Sequence, residues 1–202
     1  MNTPIPKRMR RLPRDARGYP VPFVVFRDAD GKAHFTINDI ERVSLCLAQL
    51  LCAICGERLI AGQYWFVGGP LSALHERGAY NDTPMHRECA HYALKVCPYL
   101  ALRSYSGRVE GRTLTKPTPI LEQTMMPERP DVFVCLKAGK FTVGADRTVR
   151  PARPYKRIEY WRDGAQIPAA LGEAIAQRVL AQEIDWESML PRRVVVMGRR
   201  RK

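Results

Sequence analysis

Two pairs of potential metal ligands, Cys52-x2-Cys55 followed directly by Gly56, and His86-x2-Cys89, stand 30 residues apart in this chain of 202. No other feature restricts the fold as tightly, because donors from two distant stretches must converge on one ion. A CxxC-Gly bend presents two thiolates from one tight turn, and Gly56 lets the backbone fold around the ion. A His-x2-Cys pair on the first turn of a helix puts both ligands on one face, and the helix N-terminus favours the thiolate form. Cys52, Cys55, His86 and Cys89 form a Cys3His set, which suits zinc and leaves no position for a catalytic water. The expectation is one structural zinc ion in a treble-clef-like module. A lone CxxC can also be a redox pair, but Ala53-Ile54 lacks a following helix of the thioredoxin kind.

The remaining cysteines and histidines read as structural. Cys97 lies eight residues beyond Cys89, about 12 Å further along a helix, so it cannot share the ion. Cys46 and Cys135 read as core, His91 as a surface or core-edge residue, and His34 and His75 as isolated. No Ser or Cys carries a nucleophile signature, and Gly68-Gly69-Pro70 lacks the Lys-Ser/Thr terminus and following helix of a phosphate loop.

Charge is concentrated at the ends. The chain carries +13; residues 1–18 hold +5 and residues 191–202 hold +6, which leaves +2 for everything between. Lys7, Arg8, Arg10, Arg11, Arg14 and Arg17 at one end, and Arg192, Arg193, Arg199, Arg200, Arg201 and Lys202 at the other, read as basic tails. Arginine forks suit phosphate, so these residues are the candidate nucleic-acid contacts, with solvated tails as the plain alternative. Neither end shows a periodic apolar face. With 46% hydrophobic residues the rest can build a core, and no run approaches a membrane span or a secretory signal, so a cytoplasmic protein is expected.

The pattern predicts an α+β fold. Residues 21–27 and 33–37 read as a hairpin turning at Asp30-Gly31, and Asn38 stands three before Glu41 as a helix cap for residues 39–51. Residues 63–67 read as a strand, 71–83 as a loop, and Thr83-Pro84 as the start of a helix stopping at Cys97-Pro98. Strands follow at 132–137, 140–143 and 155–162, the last turning at Asp163-Gly164. A final helix covers 168–182 with Leu171, Ala174, Ile175 and Val179 as its apolar face. The implied organisation is a basic tail (1–18), a zinc-binding α+β domain (19–104), a Pro-containing linker or long loop (105–130), a small C-terminal α+β part (131–190) and a second basic tail (191–202).

Gly18-Tyr19-Pro20-Val21-Pro22, the Cys52 to Gly56 knuckle, Phe66-Val67-Gly68-Gly69-Pro70, the run from Pro84 to Ala93, and Cys97-Pro98-Tyr99-Leu100 together resemble a family of uncharacterised bacteriophage and bacterial proteins. The likeness covers residues 18–100, resumes weakly at 159–164, and is poor elsewhere beyond 101. It implies a phage or prophage origin, hence a host-cell cytoplasm, and a metal module; it implies no activity.

Three functions are compatible with these features. The first is a non-enzymatic zinc-binding accessory protein that holds DNA or RNA through its arginine-rich ends without sequence specificity. The second is an adaptor or inhibitor docking on a host protein through residues 71–83. The third, a metal-dependent nuclease of the HNH kind, requires a water-activating His and further ligands where this chain has Gln63-Tyr64-Trp65-Phe66-Val67.

Overall fold

The computed structural model describes residues 3–102, 120–121, 129–145 and 147–182. The first segment is folded. Lys7–Met9 forms a 3-10 turn, and Met9 is only 2% exposed, inside the main core. Asp15 closes the next bend by accepting from the Arg17 and Tyr19 amides, and Val21 N–H bonds the Pro13 carbonyl at 2.8 Å. The expected tail is thus part of the body from residue 3 onward. Met9, with Ile5 and Leu12 packed against the same core, anchors it among many arginines; flanked by Pro4, Pro6 and Pro13, these three did not read as a helix face.

Strands β1 (Val25–Arg27) and β2 (Ala33–Asp39) form the expected hairpin, with Gly31 at φ 79° in the turn. Helix α1 (Ile40–Gln49) follows, capped by Asp39 rather than Asn38: the Asp39 carboxylate accepts from the Glu41 and Arg42 amides. Asn38 is buried instead and donates to Asp82 at 2.9 Å. Val43 and Cys46 of α1 pack with Val24 and Ala53 in a small second core.

Next come β3 (Tyr64–Gly68), α2 (Pro70–Leu74), α3 (Arg87–Val96) and α4 (Pro98–Ala101). Helix α2 lies inside the stretch expected to be loop; Pro70 at its first turn supplies the start signal. Thr83-Pro84 does not begin α3, because Met85 is held in an antiparallel bridge to Trp65, which delays the helix to Arg87. The two-residue strand β4 (Ile120–Leu121) pairs with β2; the rest of 105–128 lies outside the described residues.

The last part contributes β5 (Phe133–Ala138), β6 (Phe141–Val143), β7 (Val149–Pro151), β8 (Arg157–Arg162), β9 (Ala165–Ile167) and α5 (Ala169–Leu180). Strand β7, absent from the sequence reading, pairs with β6. The main sheet is antiparallel in the order β3-β5-β8-β9, so a strand from the metal-binding part is hydrogen-bonded to strands from the C-terminal part. The described residues of 19–104 and 131–190 therefore share one sheet and one core rather than forming separate units.

Register assigns the two faces. Successive side chains on a strand alternate, so Trp65, Val67, Cys135, Glu159 and Trp161 share one face, toward α3. Tyr64, Phe66, Val134, Leu136 and Tyr160 share the other, with α2 and α5 packed on that side of the sheet. With both faces covered, β5 is almost wholly buried, which explains the apolar run from Val132 to Leu136. Helix α5 buries Gly172, Ile175 and Ala176; of the predicted stripe Ile175 is buried and Val179 half-buried, while Ala174 is exposed and Leu171 is 48% exposed. The cause is Tyr160, whose ring lies where a Cβ on residue 172 would stand, so the glycine side faces the sheet. Among the described residues no helix is long and apolar enough to cross a membrane.

Candidate metal centre

The knuckle begins just after α1, which ends with Leu50 in the left-handed region at φ 53°. Cys52 N–H bonds the Glu57 carbonyl, and Gly56 N–H bonds the Cys52 carbonyl, both at 2.8 Å, so residues 52–57 form one tight loop. Gly56 sits at φ 71°, and a Cβ there would approach the Phe23 ring to 2.8 Å; only glycine satisfies both constraints. The chain before β1 straps this loop, with Phe23 and Val24 amides bonded to the Ile54 and Ala53 carbonyls.

The second pair is placed by β3. The Trp65 to Met85 bridge delivers His86 as the residue preceding α3, with Cys89 in that helix's first turn. One potential donor atom from each of Cys52, Cys55, His86 and Cys89 lies within 4.8 Å of the others, and all four residues are buried. His86 Nε2 lies 3.1 Å from the Arg58 carbonyl, a geometry in which it carries the ring proton. Nδ1, 3.3 Å from Cys55 Sγ, then faces the thiols as the free donor. His86 N–H also points at Cys52 Sγ, 3.4 Å away.

The electrostatics prepare the set for an ion. Burial opposes ionisation of Cys52, but hydrogen bonds from the Cys55 and Cys89 thiols and from backbone amides outweigh it, holding its pKa well below the ordinary value. Cys89 is pushed up, first by its hydrogen bonds with Cys52 and Cys55 and then by burial. A thiolate nested among thiols is the state from which a cation displaces the remaining protons. The four residues predicted from spacing are brought together as a buried cluster that can bind a metal ion. Cys97 is outside it, and Cys46 is 1% exposed with burial pushing its thiol up to about 12.

The basic residues fare differently. Arg8 spans the cluster's outer side, pairing with Glu57 of the knuckle at 2.5 Å and with Glu88 of α3 at 2.6 Å. Arg11 pairs with Glu57 at 2.8 Å and Arg17 with Asp15 at 2.7 Å. Lys7, Arg10 and Arg14 are exposed, Arg14 bonding the Gly18 carbonyl. Arg192, Arg193, Arg199, Arg200, Arg201 and Lys202 lie outside the described residues. Glu57 and Glu88 gave no signal in the sequence, because their partners sit 49 and 80 residues away.

Three further groups meet across the sheet. Cys135 and Glu159 are directly paired on β5 and β8, and His91 of α3 reaches them, with Glu159 only 2% exposed. His91 is therefore not a simple surface residue, and Cys135 has a polar neighbour in the core. Comparison of the chain with known protein families, with curated proteins and with solved structures finds no match in any of the three.

Proposed function

We propose that this chain is a non-enzymatic nucleic-acid-binding protein stapled by a structural zinc ion. The observation that carries the zinc reading is the closed donor set: three thiols and one imidazole, all buried. Such soft and borderline donors in fourfold arrangement suit zinc and leave no open position for substrate or water. The order of knuckle, strand and helix start, with ligands on the first and last, supports a treble-clef-like reading. The ion would join the knuckle to the start of α3, so metal binding and folding share one free energy.

The nucleic-acid reading is supported by the charge of +13 and its position. Arg8, Arg11 and Arg17 are partly neutralised by Glu57, Glu88 and Asp15. Phosphate contact then falls mainly to Lys7, Arg10, Arg14 and the cations of 192–202. The test is binding of labelled duplex DNA, single-stranded DNA and RNA over a salt series. The logarithm of affinity should fall linearly with the logarithm of salt, by about 0.9 per phosphate neutralised on duplex DNA. Changing the six basic residues of 192–202 to Ser should flatten that slope while leaving the zinc content intact. Absence of salt-dependent binding to all three polymers would refute the reading, and a nuclease-resistant protein partner would then put an adaptor in its place.

A further inference from the structure

We propose that His91, Cys135 and Glu159 form a second metal site, separate from the Cys3His cluster and open at one position, which takes a zinc-class divalent cation. One potential donor atom from each of the three lies within 4.8 Å of the others. They come from three elements, α3, β5 and β8, so the site exists only when the helix is docked on the sheet. Cys135 and Glu159 are opposite each other in register, and such cross-strand neighbours project side by side from one face.

The carboxylate is already oriented. Glu159 Oε1 receives Arg157 Nε at 2.7 Å and an Arg87 nitrogen at 3.3 Å, while Oε2 faces His91 Nε2 at 2.6 Å. A ligating carboxylate normally has its second oxygen tied in this way. The His91 ring is fixed between Trp65 and Trp161, with ring centroids 5.9 and 5.0 Å away. The two guanidinium side chains are themselves 52% and 53% exposed, so the positive charge beside the carboxylate lies at the solvent rim of the site.

One nitrogen, one sulfur and one oxygen donor favour zinc or cobalt(II) over magnesium or calcium, which require oxygen shells. Binding would release one proton from the Cys135 thiol, and the imidazole proton facing Glu159 would move to the other ring nitrogen. Thiolate and carboxylate then balance the ion's two charges. Three protein ligands leave a fourth position for water, and the His91 side chain, 20% exposed, gives that position its route to solvent.

The test is a cobalt(II) titration of the full-length chain after metal removal, followed by sulfur-to-cobalt absorption, with zinc competition and elemental analysis. Two equivalents are expected, a tight one with three thiolates and a weaker one with a single thiolate. Glu159→Gln and Cys135→Ala should each abolish the second equivalent and keep the first. Arg157→Gln, which removes an orienting donor but no ligand, should weaken the second about 10-fold or more. Circular dichroism of each variant establishes that it is folded, and Glu159→Gln preserves the side-chain shape. Saturation at one equivalent, or a second equivalent that survives both ligand substitutions, would overturn the proposal. Loss of the first equivalent alone would instead refute the Cys3His reading.

Discussion

Replacing Met9 by Ala tests whether the arginine-rich N-terminal segment belongs to the folded body. Met9 is 2% exposed and lies in the same core as Cys52, Cys55, Cys89 and Tyr92. The substitution removes three heavy atoms, and at about 0.8 kcal/mol per buried methylene-sized group the lost transfer energy is about 2.4 kcal/mol. A residual cavity adds to this, and buried Met→Ala changes cost about 2 to 5 kcal/mol. For a domain of this size each kcal/mol lowers Tm by about 2 to 4 °C, so a fall of roughly 4 to 20 °C is expected. Urea unfolding followed by tryptophan fluorescence, with metal bound, should show a lower midpoint at unchanged slope. Arg10→Ala, at an exposed neighbouring position, is the control and should stay within about 0.5 kcal/mol. If Met9→Ala behaves like that control, the segment is a tail in solution and the reasoning fails.

Gly172→Ala reverses the sign that helix propensity gives. Propensity favours Ala by about 1 kcal/mol, but the new Cβ would lie 2.1 Å from Tyr160 Cγ, so a net loss of about 1 to 3 kcal/mol is expected in urea unfolding. A stabilised variant would show that α5 does not pack as described. Cys97→Ser should keep the full metal content of the Cys3His site by elemental analysis and cost about 1 kcal/mol, because its half-buried thiol lies outside the cluster. Metal loss in that variant would contradict the ligand set. Burial opposes ionisation of Asp15, but hydrogen bonds from Arg17 and the Tyr19 amide outweigh it and hold its folded pKa below 3.8. Its contribution is therefore complete above the unfolded-state value and fades as pH falls through the lower folded one. Asp15→Asn should flatten the stability profile below about pH 4; an unchanged acid limb would exclude this bend as a contributor.

What could be read along the chain was whatever neighbouring residues decide among themselves. The ligand spacing, the Gly56 knuckle, and the turns at Asp30-Gly31 and Asp163-Gly164 depend on local backbone freedom, and all occur where the sequence places them. The positions of α1, α3 and α5 were likewise legible, although the cap moved from Asn38 to Asp39 and the start of α3 from 84 to 87, because Asp82 and Trp65 took up the groups the local pattern had assigned. Tertiary structure decided everything that depends on a distant partner. Ile5, Met9 and Leu12, flanked by prolines, are too few to read as a buried face, and Arg8 finds its carboxylates 49 and 80 residues away. The buried side of α5 was set by the space Tyr160 leaves at Gly172 rather than by its largest side chains. Strand register did the same for Cys135 and Glu159, separated by 24 positions yet directly opposed once β5 and β8 pair. Local periodicity records which side chains avoid water, but which of them meet is fixed only when the sheet closes its ladder.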